Sequence, residues 1–73
     1  MMQKQRQMND LFKNTKKGDL FKDSRGEILT YCHPDAGYHV LSTRGGELET
    51  YYSDGTSCDY EPSLNIQIIE KLT

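Results

Sequence analysis

The stretch that decides the fold is YHVLSTRGGELETYYS, residues 38–53, in which two strand-like runs flank Arg44-Gly45-Gly46. Both runs are rich in β-branched and aromatic residues, which pack well on a pleated surface. Adjacent glycines accept the positive φ values of a tight hairpin turn. The stretch therefore predicts two antiparallel strands, 38–43 and 47–53, joined by a two-residue loop.

The loop also predicts the register of this hairpin. If Gly45 and Gly46 form the loop, the residues before and after them pair, and alternate side chains then point to opposite faces. Leu41, Leu48 and Tyr52 fall on one face, whereas Glu47 and Glu49 fall on the other. Because the apolar side chains gather on one side, we predict that side as the inner face and the glutamates as solvent-exposed.

In the rest of the chain after Gly18, short strand-like runs are separated by turn residues, as in an antiparallel sheet. Turns are predicted at 23–26, at 34–37, where proline pre-sets φ, and at Asp54-Gly55. The segment 61–64 contains a proline, which suits a single helical turn rather than a central strand. Further strands are predicted over 19–22, 27–33, 56–60 (weak) and 65–72, with a core of Leu20, Ile28, Val40, Leu41, Leu48, Tyr52, Leu64, Ile66 and Ile68.

The N-terminal part differs in pattern. Residues 3–14 are rich in helix formers and place Met8, Leu11 and Phe12 on one helical face. A helix this short is marginal alone in water, so it docks on the body, pairs with another copy to give a homo-oligomer, or frays. We thus divide the chain into a basic helix or arm, 1–17, and a small β domain, 18–73.

Length and composition bound the protein class. A chain of 73 residues with 34% apolar content makes one domain with a thin core. No run is long and apolar enough to span a membrane, and the basic N-terminus lacks the apolar region of a secretory signal. We therefore expect a cytoplasmic protein whose two cysteines are reduced, although one disulfide stays open as an alternative.

Charge is divided along the chain. Residues 1–22 hold six basic and two acidic residues, whereas residues 23–73 hold three basic and nine acidic ones. Such an asymmetry indicates an interaction surface, or a basic arm attracted to an acidic body.

The order of short strand, three strands joined by tight turns, one helical turn and a last strand resembles the five-stranded Src-homology-3-like barrel. Gly18-Asp19, Gly26-Glu27-Ile28, the Gly45-Gly46 hairpin and the segment 61–69 carry the likeness. The tail 52–66 is also similar to small uncharacterised proteins of bacteriophages and prophages. The resemblance implies a mainly β, five-stranded antiparallel barrel in a protein of the bacterial host cytoplasm. A curled meander sheet capped by the N-terminal helix is the alternative.

Residue types capable of chemistry are present but poorly arranged. Cys32 and His33 are neighbours on a predicted strand, so they point to opposite faces, and no Cys-x-x-Cys pair occurs. Ser57 or Cys58 could pair with a histidine such as His39 as nucleophile and base, but the sequence offers no third residue to orient the histidine and no glycine-rich oxyanion loop. We expect no enzyme activity, no catalytic residues, no cofactor and no metal.

Two binding functions remain. Tyrosine is an interface residue of choice. The sequence predicts an acidic, tyrosine-bearing surface formed by Tyr51, Tyr60, Asp54, Asp59 and Glu61. Such a surface predicts a non-catalytic module that binds a host or phage protein.

The alternative partner is nucleic acid. Lys13, Lys16 and Lys17 of the basic arm can neutralise phosphates. Bases can stack on exposed tyrosines of an open sheet face, for which the sequence offers Tyr31, Tyr38 and Tyr51.

Overall fold

A computed structural model describes residues 11–73. Five strands and one 3-10 turn follow one another along the chain: β1 (Leu20–Asp23), β2 (Ile28–Asp35), β3 (Tyr38–Ser42), β4 (Leu48–Tyr51), the 3-10 turn (Pro62–Leu64) and β5 (Ile68–Lys71). They form one antiparallel sheet in the order β4-β3-β2-β1-β5. The mainly β, five-stranded architecture is confirmed.

Residues 56–57 lie between the end of β4 and the start of β5. Tyr51 forms an isolated antiparallel bridge with Ser57, and Thr56 forms another with Gln67. The predicted weak strand over 56–60 is therefore reduced to these two bridges.

The β3–β4 hairpin has a different register from the predicted one. Ser42 pairs with Leu48, and the Thr43 N–H donates to the Glu47 carbonyl at 2.8 Å, so the loop holds three residues, Arg44 to Gly46. Gly46 adopts φ 89°, as a three-residue loop with a final left-handed residue requires.

One residue of slip exchanges the two faces of a strand, so the predicted inner face of β4 is wrong. Leu48 and Tyr52 are 66% and 46% exposed, whereas Tyr51 and Glu49 are 0% and 6% exposed. The predicted solvent exposure of Glu49 is corrected by the same shift.

The core is more aromatic than the sequence predicted. Val40, Leu41 and Ile68 are buried as expected, but Leu64 is exposed. The buried cluster consists of Phe12, Phe21, Leu29, Tyr31, Leu41, Tyr51 and Ile68.

The N-terminal arm supplies part of this core. Residues 3–10 of the predicted helix lie outside the described residues, and residues 11–14 form a turn. The Phe12 ring packs 5.2 Å from Phe21 and 4.4 Å from His39 between ring centroids, whereas Leu11 stays 43% exposed. The division of the chain at residue 17 stays a prediction.

Candidate functional site

A cluster of charged side chains, with two buried carboxylates, lies where the β1–β2 turn approaches β4. Asp23 ends β1 and is fully buried, and Glu49 in β4 is 6% exposed. The Arg25 guanidinium lies between them: Nε donates to Asp23 Oδ2 at 2.8 Å and Nη2 donates to Glu49 Oε1 at 2.8 Å. Arg25 therefore cross-links the turn to β4.

Asp23 also shapes the turn that carries Arg25. Its Oδ1 accepts the backbone N–H groups of Arg25 at 2.8 Å and Glu27 at 2.9 Å. This is the local hydrogen bonding that makes aspartate a favoured first residue of turns. The carboxylate thus accepts backbone donors through one oxygen and the guanidinium through the other.

Two tyrosine hydroxyls complete the cluster. Tyr51 donates to Glu49 Oε1 at 2.8 Å, and Tyr60 donates to Glu49 Oε2 at 3.3 Å. The Tyr60 hydroxyl also accepts from Arg25 Nη1 at 3.1 Å, and the Tyr60 ring lies 5.0 Å from the guanidinium carbon. Tyr60 therefore covers the cluster from the solvent side with a cation–π contact.

The electrostatics of the cluster agree with this arrangement. Burial alone would lower the pKa of Arg25, but hydrogen bonds and charge from Asp23 and Glu49 raise that pKa overall. Burial, followed by the hydrogen bond to Glu49, raises the pKa of Tyr51 well above its ordinary value. Arg25 therefore stays charged and Tyr51 stays neutral near pH 7.

A groove opens beside Tyr60. It has a volume of about 590 Å³, and its lining combines three glutamates, two arginines and one aromatic ring: Arg25, Glu27, Thr43, Arg44, Gly45, Glu47, Glu49 and Tyr60. Glu27 and Glu47 are exposed, and within residues 11–73 neither forms a salt bridge. The groove therefore offers free carboxylates beside a ring whose position is fixed by hydrogen bonds.

The structure separates the predicted partner-binding residues. Tyr60 lies at the groove and is 37% exposed, and Asp59 and Glu61 flank it in the chain as exposed residues. Asp59 Oδ2 accepts the Thr50 N–H at 2.8 Å, which covers part of the β4 edge. Asp54 lies beyond the opposite end of β4, where Oδ1 accepts the Thr56 N–H at 2.9 Å.

Tyr51 is not available to a partner, which corrects its prediction as a surface residue. It is 0% exposed, because the one-residue register shift turns it into the core. Tyr31 is likewise 5% exposed and does not offer a stacking surface. Among the tyrosines proposed for bases, Tyr38 alone is exposed, at 42%.

The histidines and cysteines do not converge. Within residues 11–73 no group of three or more His, Cys, Asp or Glu side chains can hold a metal ion. His39 is buried, with Nδ1 2.7 Å from the Tyr31 hydroxyl. Cys32 and Cys58 are free thiols, and burial raises the pKa of Cys58, so that thiol stays protonated near neutral pH.

Sequence reasoning missed Asp23, Arg25 and Glu49 as a unit. Local pattern alone predicts Asp23 as an ordinary turn residue and Glu49 as a surface residue. The available signal was the spacing Asp-x-Arg in a turn, which brings opposite charges together only when a second carboxylate arrives from β4.

Two further observations concern the chain as a whole. Among residues 11–73 no helix has the length and apolar character needed to cross a bilayer. Comparisons with protein-family models, with curated proteins and with solved structures find no significant match to the chain.

Proposed function

We propose that the protein is a non-catalytic interaction module whose groove binds a basic segment of a partner protein. The observation that carries this proposal is the pair of free carboxylates, Glu27 and Glu47, beside the fixed ring of Tyr60. Carboxylates attract lysine or arginine side chains, and an aromatic ring adds a cation–π contact and apolar area.

The strand directions gather negatively charged residues at one end of the sheet. The β1–β2 turn and the β3–β4 loop lie at the same end of the sheet, because β1 and β3 both run toward it. We call this the acidic end; its charged residues are Asp23, Arg25, Glu27, Arg44, Glu47 and Glu49, with Asp59 and Glu61 beside Tyr60. Six carboxylates against two arginines give it a surplus of negative charge that steers basic partners.

We also propose that the sheet curls into a Src-homology-3-like barrel. The order β4-β3-β2-β1-β5, the 3-10 turn before β5 and the two bridges made by residues 56 and 57 support this proposal. On the resemblance alone, we propose a phage or prophage origin, action in the bacterial cytoplasm, and a host or phage protein as partner.

A peptide titration tests the binding proposal. An arginine- and glycine-containing peptide of twelve residues is titrated by calorimetry at low and moderate salt, with an acidic peptide of equal length as probe control. We expect the double substitution Glu27→Gln and Glu47→Gln to weaken binding about 4- to 25-fold, since each exposed ion pair contributes up to ~1 kcal/mol.

Glu70→Gln is the matched control, because Glu70 is an exposed carboxylate on β5, paired with Lys22 away from the groove. It removes one charge and should leave peptide affinity within about twofold. Equal weakening by Glu70→Gln, or equal affinity for the acidic peptide, contradicts a site at the groove.

A further inference from the structure

The end of the sheet opposite the groove carries a second surface of different chemistry. β3 begins at Tyr38 and β4 ends at Tyr51, directly before Tyr52, so Tyr38 and Tyr52 both lie at this end. Their rings meet edge to face with centroids 5.5 Å apart, and they are 42% and 46% exposed. Two neighbouring rings on one sheet face, each about half exposed, form an aromatic platform.

The basic arm reaches the same end. The Leu11 N–H donates to the Ser53 carbonyl at 2.7 Å, which fixes the start of the described arm directly after Tyr52. The three lysines that follow, Lys13, Lys16 and Lys17, are exposed. Each residue spans at most ~3.6 Å of chain, so Lys13 lies within about 8 Å of Leu11 along the backbone.

Of these three lysines, Lys16 lies beside the Asp19 carboxylate. Within residues 11–73 none of the three forms a salt bridge. Asp19 pairs with Lys71 at 3.4 Å, whereas Asp54 lies near Tyr52, and the Thr56 N–H that its carboxylate accepts does not cancel its charge. Among residues 11–73, Asp35, paired with Tyr38 across β2 and β3, is a further acid at this end.

We propose that this surface, Tyr38, Tyr52 and the three arm lysines, binds single-stranded nucleic acid. The bases stack on the two rings, since every base offers a π face, and the lysines neutralise phosphates. Half-exposed rings suit unpaired bases rather than the grooves of a duplex, and residues 11–73 contain no α-helix that could enter a major groove. The site is separate from the groove, so this inference does not rest on the partner proposed there.

Fluorescence anisotropy with labelled twelve-nucleotide oligomers tests the inference on the full chain. Thymidine and uridine oligomers separate DNA from RNA as the source of the shared chemistry, and a duplex of equal length is the third probe. Binding should fall with salt at a log–log slope of about −2, since each of ~3 phosphates contributes about −0.7 for single strands. Between 50 and 200 mM salt the affinity should therefore drop by ~20-fold.

Variants locate the site. Tyr38→Ala with Tyr52→Ala should weaken single-strand binding by at least about fivefold, whereas the matched Phe substitutions keep the stacking surface and the affinity. Leu48→Ala, which truncates an exposed apolar side chain of β4, is the control and should have no effect on binding. Replacing the three lysines with glutamine should flatten the salt slope, whereas Arg44→Gln at the acidic end should not.

Several results would overturn the proposal. They are no binding to either single strand at 50 mM salt, a duplex bound as tightly as single strands, or equal affinity after loss of both rings. Circular dichroism melting of each variant distinguishes loss of the site from loss of the fold: a weakened variant supports the proposal only if its melting temperature matches the parent. If the Tyr38→Ala, Tyr52→Ala variant unfolds, the lysine substitutions provide the test, because the lysines lie outside the sheet. Loss of affinity on replacing them then supports the proposal, and unchanged affinity contradicts it.

Discussion

Replacing Asp23 with asparagine tests whether the buried charged cluster holds the β1–β2 turn to β4. The carboxylate accepts three hydrogen bonds, from the backbone N–H groups of Arg25 and Glu27 and from Arg25 Nε, and it also forms an ion pair with Arg25 Nη2. An asparagine side chain offers one oxygen and one NH₂ group, and the NH₂ group must face donors on one side. If the oxygen keeps the backbone donors, the guanidinium loses both its hydrogen bond and its ion pair with residue 23.

The magnitude follows from those lost contacts. One charge-assisted hydrogen bond is worth ~1.5–3 kcal/mol, and breaking a buried ion pair costs ~3–5 kcal/mol. The Arg25 side chain is 29% exposed, so water recovers part of the loss, and we expect the free energy of unfolding to fall by about 3 kcal/mol. Total stabilities run at ~0.05–0.15 kcal/mol per residue, so a chain of 73 residues loses a quarter or more of its stability.

Urea unfolding at pH 7, followed by circular dichroism, measures this change. Asp54→Asn is the matched control, because its exposed side chain can still accept the Thr56 N–H, and its effect should stay within ~0.5 kcal/mol. In a double-mutant cycle with Arg25→Met, the coupling between positions 23 and 25 should exceed ~1 kcal/mol. A loss below about 1 kcal/mol for Asp23→Asn, or no coupling, would refute the cross-link.

Three further predictions concern the loop, the buried tyrosine and the arm. Gly46→Ala should lower the free energy of unfolding in urea by about 1 kcal/mol, because φ at this position is 89°. Gly45→Ala should be nearly neutral, because its added Cβ lies 3.8 Å from Thr43 Oγ1. Equal losses for the two variants would favour a two-residue loop. Because the pKa of Tyr51 is raised in the folded state, its hydroxyl loses the proton at lower pH in the unfolded state, and the free energy of unfolding should fall above pH ~10 by up to ~1.4 kcal/mol per pH unit. The slope should be shallower in Tyr51→Phe. An unchanged slope in that variant counts against burial of the hydroxyl. Phe12→Ala should cost ~3–5 kcal/mol by chemical unfolding if the arm belongs to the core, and a loss under ~1 kcal/mol would show that it does not.

Local chemistry made the strands predictable. Turn residues and β-branched runs placed four of the strands within about two residues of their positions, as for 19–22 against β1 (Leu20–Asp23). Boundaries shifted where a turn was tighter than its composition suggested. Pro34 and Asp35 stay in β2, and the turn narrows to Ala36 and Gly37, both with positive φ.

The candidate site was less predictable, because it depends on which way strands face. The acidic, tyrosine-bearing character of residues 49–61 was evident from composition, and Tyr60 does lie at the groove. The choice between Tyr51 and Tyr52 as the exposed ring depended on one residue in the hairpin loop. The Gly45-Gly46 pair does not by itself show whether Arg44 belongs to the loop, since two-residue and three-residue loops accept the same residues.

The sequence by itself determined that residues 18–73 form short antiparallel strands with a thin core, since period and turn chemistry are local properties of the chain. Only the tertiary structure decided the face of β4, the burial of Glu49 and the meeting of Asp23 with Arg25 beneath Tyr60. A buried charge is stable only where its partners converge from distant parts of the chain, and that convergence is fixed by strand register rather than by any local pattern.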